Sequence, residues 1–197
     1  MPNAFPAQTN SNRFNFTPRP NNISAGDPVP DFHLINQSDR TIHLDQFKGK
    51  LVLMTFIYTR CPLPDYCFRL TNNFGRLQKR FKERMGRDLI LLSITFDPAN
   101  DTPEALTAYA ERFKADRSRW FFLTGEKDAI RRLAVEGLKL PLADGDPSQG
   151  EDPILHSQRF VLVDAESRVR ATYDVRDQEA MFKLRGDLQR LIEKSAS

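Results

Sequence analysis

The chain has 197 residues, of which 40% are hydrophobic and 28% are charged, a composition typical of one globular domain with short appendages. The net charge is only +3, and the basic residues are scattered rather than gathered into a stripe, which argues against a nucleic-acid partner. No apolar run approaches the roughly 18 residues that cross a bilayer. The N-terminus also lacks the order of a signal peptide.

The first part of the chain changes abruptly in composition. Residues 1–25 are rich in Asn and Pro, which predicts a flexible polar tether, with the folded domain at 26–197. Residues 31–35 and 41–44 flank a polar turn and predict a β-hairpin. The nearly continuous apolar run at 51–58 is typical of a central strand buried on both faces.

The middle of the chain alternates between helical and strand patterns. Apolar residues at three- and four-residue spacing predict a helix over 68–84, and an apolar run predicts a second central strand over 89–96. Thr102, followed by proline, is typical of a helix N-cap. A short strand at 120–123 precedes a helix at 127–136 that ends at a glycine.

The last third of the chain predicts a closing hairpin and a terminal helix. The hairpin strands lie at 159–164 and 169–173, and the helix at 178–194. Residues 138–155 carry several prolines and glycines and predict a long surface loop, a kind of segment that is often functional. The alternation of strands and helices indicates an α/β fold with a mixed sheet.

Both cysteines of the chain, Cys61 and Cys67, lie between the first central strand and the helix that follows it. Pro62 and Pro64 disfavour helix at the residues before them. We therefore expect Cys61 at the strand end and Cys67 in the first helical turn, where the helix dipole would favour the thiolate. Such a pair can form a disulfide or hold a soft metal ion. A zinc site is less favoured, because only one good histidine candidate remains to join the two thiols.

Three acidic residues near these motifs are further candidates. Asp97 and Asp101 could form a carboxylate pair for a metal, but each stands beside a proline turn or a helix start. A structural role in the turn and in capping that helix is therefore favoured. Asp65, beside the thiols, could accept a proton or tune their pKa.

The thiol motif resembles that of the Sco/SenC family. The residues that carry this motif are Phe56-Ile-Tyr-Thr-Arg-Cys-Pro62 and Asp65-Tyr-Cys67. The resemblance as a whole covers about residues 27–193. Four other segments match the family in the same order: Gly49-Lys50, Phe96 to Glu104, Leu123-Thr-Gly125, and His156-Ser157 before a strand that ends Leu162-Val-Asp164.

The resemblance implies a thioredoxin-like three-layer sandwich with a mixed central sheet and an N-terminal β-hairpin. It also implies that Cys61, Cys67 and His156 bind copper as Cu(I), a soft ion suited to thiolates and imidazole. The partner would be an apo-copper protein acceptor, a cytochrome c oxidase subunit. By the same resemblance we expect an extracytoplasmic protein, on the periplasmic side, tethered to the membrane through a part of the precursor outside this chain. His33 and His43 match no ligand of the family and are interpreted as strand-face residues.

The spacing of the cysteines departs from the family. The family usually has three residues between its cysteines, whereas this chain has five, as though Leu63-Pro64 were inserted, and Phe68 replaces a proline after the second cysteine. A longer loop changes the separation of the two sulfurs and could weaken chelation of copper.

Two alternatives to copper delivery therefore stay open. One is a thiol–disulfide oxidoreductase with a disulfide partner, in which Cys61 attacks and Cys67 resolves. The other is an interaction module whose disulfide is structural.

Overall fold

The structure is a computed structural model that describes residues 23–61, 64–140, 142–143, 154–155 and 157–195. Most of the predicted tether, much of the predicted 138–155 loop and His156 lie outside the described residues. The described part contains nine strands and four α-helices: β1 (His33–Asn36), β2 (Thr41–His43), β3 (Leu51–Ile57), α1 (Pro64–Arg80), β4 (Leu89–Thr95), α2 (Pro103–Arg112), β5 (Trp120–Thr124), α3 (Lys127–Arg131), β6 (Leu142–Ala143), β7 (Ile154–Leu155), β8 (Arg159–Val163), β9 (Val169–Asp174) and α4 (Gln178–Ser195).

Seven of these strands form one mixed sheet in the order β2-β1-β5-β4-β3-β8-β9. The three central strands, β3, β4 and β5, are parallel to one another. Strands β1 and β8 flank them in the antiparallel direction, and each continues into an antiparallel hairpin, with β2 and β9 respectively. The predicted mixed α/β sheet and both predicted hairpins are therefore confirmed.

The sheet is covered on both faces, which gives three layers. Every residue of β3 and of β4 is buried, as expected for parallel strands between two helical layers. Alternate residues of β3 enter different cores: Leu51 and Leu53 pack on one side with helices α1, α2 and α4. Val52 and Met54 pack on the other side with α3 and the N-terminal hairpin.

Helix α1 presents the predicted apolar face to the first of these cores. Leu70, Phe74 and Leu77 are all at most 3% exposed, at the three- and four-residue spacing of one helix face. The helix begins four residues earlier than predicted, at Pro64. Proline is suited to the first helical position, since it has no N–H to leave without a partner. Pro64 therefore starts the helix rather than delaying it.

The predicted helix at 127–136 has the expected extent, but its second half has π-helical hydrogen bonding, and the chain after it differs from the prediction. Residues Arg132–Gly137 continue α3 as a π-helix, and the Leu138 amide donates to the Leu133 carbonyl at 2.8 Å. Leu138 and Leu140 are buried, and β6 pairs with β7 in an antiparallel ladder. The described parts of the predicted 138–155 loop are therefore packed or paired, not a plain surface loop. Within the described ranges, no helix combines the length and the apolar character that crossing a membrane requires.

Candidate thiol and metal site

The cysteines lie at the edge of the sheet where the three parallel strands end. Strand β3 ends at Ile57, the chain passes through Cys61, and α1 begins at Pro64 with Cys67 in its first turn. The carboxyl ends of parallel strands are a common position for ligand sites in α/β folds. The predicted placement of the two cysteines is confirmed.

The two thiols lie together and are not joined in a disulfide. Cys61 is partly exposed, whereas Cys67 is only 6% exposed. The Cys61 thiol lies within hydrogen-bonding reach of the Cys67 thiol. The backbone N–H of Tyr58 donates to Cys67 Sγ at 3.4 Å. The pair thus has one member open to solvent and one held against the end of β3.

The expectation that Cys67 would favour the thiolate is wrong. Burial raises the pKa of Cys67 to about 12, and its hydrogen bond with the Cys61 thiol and the negative charge there act in the same direction. The hydrogen bond from the Tyr58 amide lowers the pKa but does not offset burial. Position in a first helical turn favours a thiolate only while the sulfur stays solvated. Cys67 is therefore the thiol that keeps its proton.

Asp101 fixes the segment that precedes Cys61. Its carboxylate is fully buried and accepts hydrogen bonds from the Thr59 amide at 3.1 Å, from the Thr59 hydroxyl and from the Thr95 hydroxyl at 2.5 Å. These bonds tie the end of β4 to the chain two residues before Cys61. The structural role predicted for Asp101 holds, but its partners are the thiol segment and β4 rather than helix α2.

Helix α2 is capped by the predicted residue, Thr102, whose hydroxyl accepts from the Ala105 amide at 3.3 Å. Asp97 has its own local role, because the side-chain amide of Asn100 donates to both oxygens of its carboxylate, at 3.0 and 2.9 Å. The two carboxylates of Asp97 and Asp101 therefore have separate structural partners. Among the described residues they do not belong to a group of three or more metal-ligand side chains.

A hydroxyl pair beneath Cys67 was not predicted from the sequence. Thr71 donates to the Cys67 carbonyl at 2.9 Å and contacts the Tyr109 hydroxyl at 3.0 Å. The pKa of Tyr109 is raised to about 12, mainly by burial, with a smaller contribution in the same direction from its proximity to the two cysteines. The four-residue spacing of Cys67 and Thr71 was visible in the sequence, but nothing local indicated that Tyr109 of α2 would meet them.

His156 and the side chain of Asp65 lie outside the described residues. The chain after His156 is described: Arg159 begins β8, which runs antiparallel to β3, and the Arg159 carbonyl accepts from the Thr55 hydroxyl at 3.2 Å. The described chain thus resumes beside the end of β3 that leads to the cysteines. His33 and His43 lie on the outward face of the β1–β2 hairpin, as predicted.

Comparison with known proteins connects this fold and thiol pair to one family. A family model described as SCO1/SenC matches residues 21–193. The "SCO1 protein homolog" of Bacillus subtilis is 31% identical over 147 residues, which are 74% of this chain and 73% of that protein.

Two solved structures have the same fold. BsSco, described with a disulfide switch and as a member of the Sco family of cytochrome c oxidase assembly proteins, is 25% identical with a TM-score of 0.71, over 87% of this chain and 97% of that chain. Copper-bound ScoI of Bradyrhizobium japonicum has a TM-score of 0.61 at 22% identity, over 85% and 99% of the two chains. The thioredoxin-like architecture expected from the resemblance is confirmed. The extent of the family match, together with the relative from Bacillus subtilis, shows that this chain belongs to the SCO1/SenC family.

Proposed function

We propose that this protein binds Cu(I) through Cys61, Cys67 and His156 and passes it to an apo-copper protein acceptor. The observation that carries the proposal is the contact between two thiols that are not joined in a disulfide, at the edge of the sheet. ScoI, a protein with the same fold, was solved with copper bound. The main objection raised by the sequence was the five-residue spacing of the cysteines, and the contact between the two thiols supports the proposal despite that spacing.

The donor chemistry of the pair suits a soft monovalent ion. Thiolates and imidazole are preferred by Cu(I), and hard ions prefer oxygen ligands. Because Cys67 keeps its proton in the metal-free protein, binding of the ion must release that proton. Burial of Cys67 and its hydrogen bond from the Tyr58 amide would then hold one sulfur in place while the ion is bound.

The unequal exposure of the two sulfurs gives a route for transfer. Cys61 is partly exposed and Cys67 is buried, so an incoming donor from the acceptor can reach the metal on the Cys61 side. Transfer then proceeds by ligand exchange: a bond from the acceptor forms as the bond to Cys61 breaks, and the oxidation state of copper does not change. Cys67 is the last protein ligand to be released.

We base the proposed acceptor and the proposed location on the family. BsSco belongs to a family of cytochrome c oxidase assembly proteins, which supports a subunit of that oxidase as the acceptor. An acceptor of that kind supports an extracytoplasmic, membrane-tethered location for the protein.

An anaerobic competition titration with a chromophoric Cu(I) chelator tests the proposal. We expect Cys61→Ser, Cys67→Ala and His156→Ala each to weaken Cu(I) binding by roughly tenfold or more. Removal of a residue that only hydrogen-bonds to a metal ligand already lowers metal affinity by about tenfold, and removal of a ligand should lower it at least as much. The matched control, Asp39→Asn, lies in an exposed turn at φ 58°, a conformation that Asn tolerates, and should bind as the wild type does. Wild-type affinity in a protein carrying both His156→Ala and Cys67→Ser would reject the site.

The same thiol pair could also exchange with a disulfide partner, with Cys61 as the attacking sulfur and Cys67 as the resolving one. The contact between a partly exposed cysteine and a buried one is the observation that supports this second function. Equilibration with glutathione buffers tests it, because an oxidoreductase would show a defined reduction potential. A pair that stays reduced across the buffer range would exclude it.

A further inference from the structure

A second group of metal-ligand side chains lies on the N-terminal hairpin. Strands β1 and β2 pair so that His33 stands directly opposite His43. The two imidazole rings are 4.1 Å apart between centroids and nearly perpendicular, at 87°. Asp31 precedes His33 by two residues and completes the group, and the ligand atoms of all three lie within 4.8 Å of one another.

The hairpin itself brings these side chains together. Residues that face each other on adjacent antiparallel strands have their side chains on the same face of the sheet. Alternation along β1 places His33 outward and Leu34 in the core. Asp31 is held near the pair because its Oδ1 accepts from the Leu44 amide, just after β2, at 2.9 Å.

The nitrogens of the two imidazoles are available for a ligand. Within the part of the chain that the structure describes, neither ring makes a hydrogen bond or an ion pair, and the only aromatic contact of either ring is the one between His33 and His43. Asp31 and His33 also line a groove of about 760 Å³, whose other charged residues are two anions and two cations: Asp27, Glu136, Arg132 and Lys139. The charges of these four residues cancel. The net negative charge of the groove beside the imidazoles is therefore that of Asp31.

We propose that Asp31, His33 and His43 form a second metal site, which binds a divalent cation of intermediate softness, Cu²⁺ or Zn²⁺. Two imidazoles and one carboxylate suit these ions, and Cu²⁺ binds most tightly among the divalent first-row metals. Two ligands on one such ion can be at most about 4.2 Å apart at bond lengths of about 2.1 Å. The ligand atoms of this group lie within 4.8 Å of one another, so small side-chain rotations bring them to the separation that one ion requires. Both histidines are on the outward face of the hairpin, where the core does not restrict these rotations.

The proposed site is separate from the thiol site. The register of Ile35 with Thr124 places His33 beyond the carboxyl end of β5, on the same edge of the sheet as Cys61. Strands β5 and β4 lie between β1 and β3, so three strand spacings, or about 14 Å, separate the two strands that carry these residues. One ion cannot reach both groups, and each site can be tested without the other.

The test uses Cu²⁺ alone in a full-length Cys61→Ser/Cys67→Ala protein, in which no thiol can reduce the ion. We expect one equivalent of Cu²⁺ to bind, with two nitrogen ligands visible in the electron paramagnetic resonance spectrum. His33→Ala, His43→Ala and Asp31→Asn in that protein should each weaken binding, the histidine variants by roughly tenfold or more. Asp39→Asn, a carboxylate in the turn of the same hairpin, should leave binding unchanged.

The proposal would be overturned if His33→Ala and His43→Ala bound Cu²⁺ as tightly as the parent protein does. The contact between the two rings would then be a cross-strand packing pair. A second measurement covers poor folding of the cysteine variant. In the wild-type protein titrated with Zn²⁺, the imidazole NMR signals of His33 and His43 should shift together, and unchanged signals would also overturn it. Because the first test is made without the thiols, its result does not depend on whether the thiol site binds Cu(I).

Discussion

Thr59 donates its backbone N–H to the buried carboxylate of Asp101 at 3.1 Å and donates its side-chain hydroxyl to the same carboxylate. This relationship joins the segment after β3 to the segment after β4, and it lies two residues before Cys61. The position of Cys61 therefore depends on a carboxylate that is forty-two positions from Thr59 in the sequence.

Asp101→Asn should destabilise the protein and disturb the thiol segment. The amide keeps the shape of the carboxylate but loses its charge and one acceptor, so a hydroxyl of Thr59 or Thr95 loses a charge-assisted hydrogen bond. We expect a loss of about 1.5–3 kcal/mol in the free energy of unfolding, measured by urea denaturation. Asp97→Asn is the matched control, because Asp97 bonds the side chain of Asn100 and not the thiol segment. A wild-type unfolding curve for Asp101→Asn would show that Asp101 does not anchor that segment.

The unequal burial of the two thiols predicts unequal reactivity. Cys61 is partly exposed, whereas Cys67 is buried and has a pKa of about 12. Alkylation requires an accessible thiolate, so iodoacetamide at pH 8 should modify Cys61 first and Cys67 much more slowly. Mass spectrometry of the time course gives the order directly, and Cys61→Ser should react slowly throughout. Modification of Cys67 at the same rate as Cys61 would contradict the assigned burial.

The pKa of Cys67 also predicts how copper binding depends on pH. A thiol with a pKa near 12 is protonated throughout the range from pH 6 to pH 9, and a metal ligand must be deprotonated. Each Cu(I) bound should therefore release at least one proton, and the apparent affinity should fall about tenfold for each unit by which the pH is lowered. Chelator competition at several pH values measures this slope. An affinity that does not change with pH would show that Cys67 is not a ligand.

A separate carboxylate on helix α4 predicts the acid stability of the fold. Asp187 accepts from the Tyr173 hydroxyl at 2.7 Å and pairs with Lys183 at 2.6 Å. Burial opposes its ionisation, but hydrogen bonds from Lys183 and Tyr173 outweigh burial and hold its pKa below the ordinary 3.8. A carboxyl group with a depressed pKa stabilises the folded state above the unfolded pKa, and this contribution is lost as the pH falls through the folded pKa.

We therefore expect Asp187→Asn to lower the free energy of unfolding by about 1 kcal/mol at pH 7, a modest value because its cationic partners are largely solvated. The difference from the wild type should shrink below pH 3.8. Thermal unfolding from pH 3 to pH 7 measures both quantities, with Asp39→Asn as an exposed carboxylate control. A difference that grows in acid would reverse the assigned sign.

Much of the fold could be predicted from the sequence, because its central strands have strong local signals. The run from Leu51 to Ile57 is apolar apart from Thr55 and is buried throughout. Thr102 followed by Pro103 marks the start of α2 correctly. The start of α1 was predicted too late because proline can either interrupt a helix or occupy its first position, and the local sequence around Pro64 is compatible with both. Only the tertiary context distinguishes them.

The position of the two cysteines could be predicted from the sequence, but their electrostatics could not. The spacing and order of motifs pointed to Cys61 and Cys67. The pKa of Cys67 depends on burial against β3 and on contact with Cys61, which are tertiary effects that no local pattern encodes. The same holds for the pairing of His33 with His43: both were correctly placed on a strand face, but only the register of the hairpin sets them opposite each other.

The central claim is that Cys61, Cys67 and His156 hold copper together. Copper X-ray absorption spectroscopy on the protein loaded anaerobically with one equivalent of Cu(I) tests it most directly. The proposed site predicts two sulfur neighbours at about 2.3 Å and one nitrogen neighbour at about 2.0 Å, taking zinc–thiolate and zinc–imidazole lengths as a guide, with the nitrogen lost in His156→Ala. A spectrum with fewer than two sulfurs, or one that is identical in His156→Ala, would contradict the site.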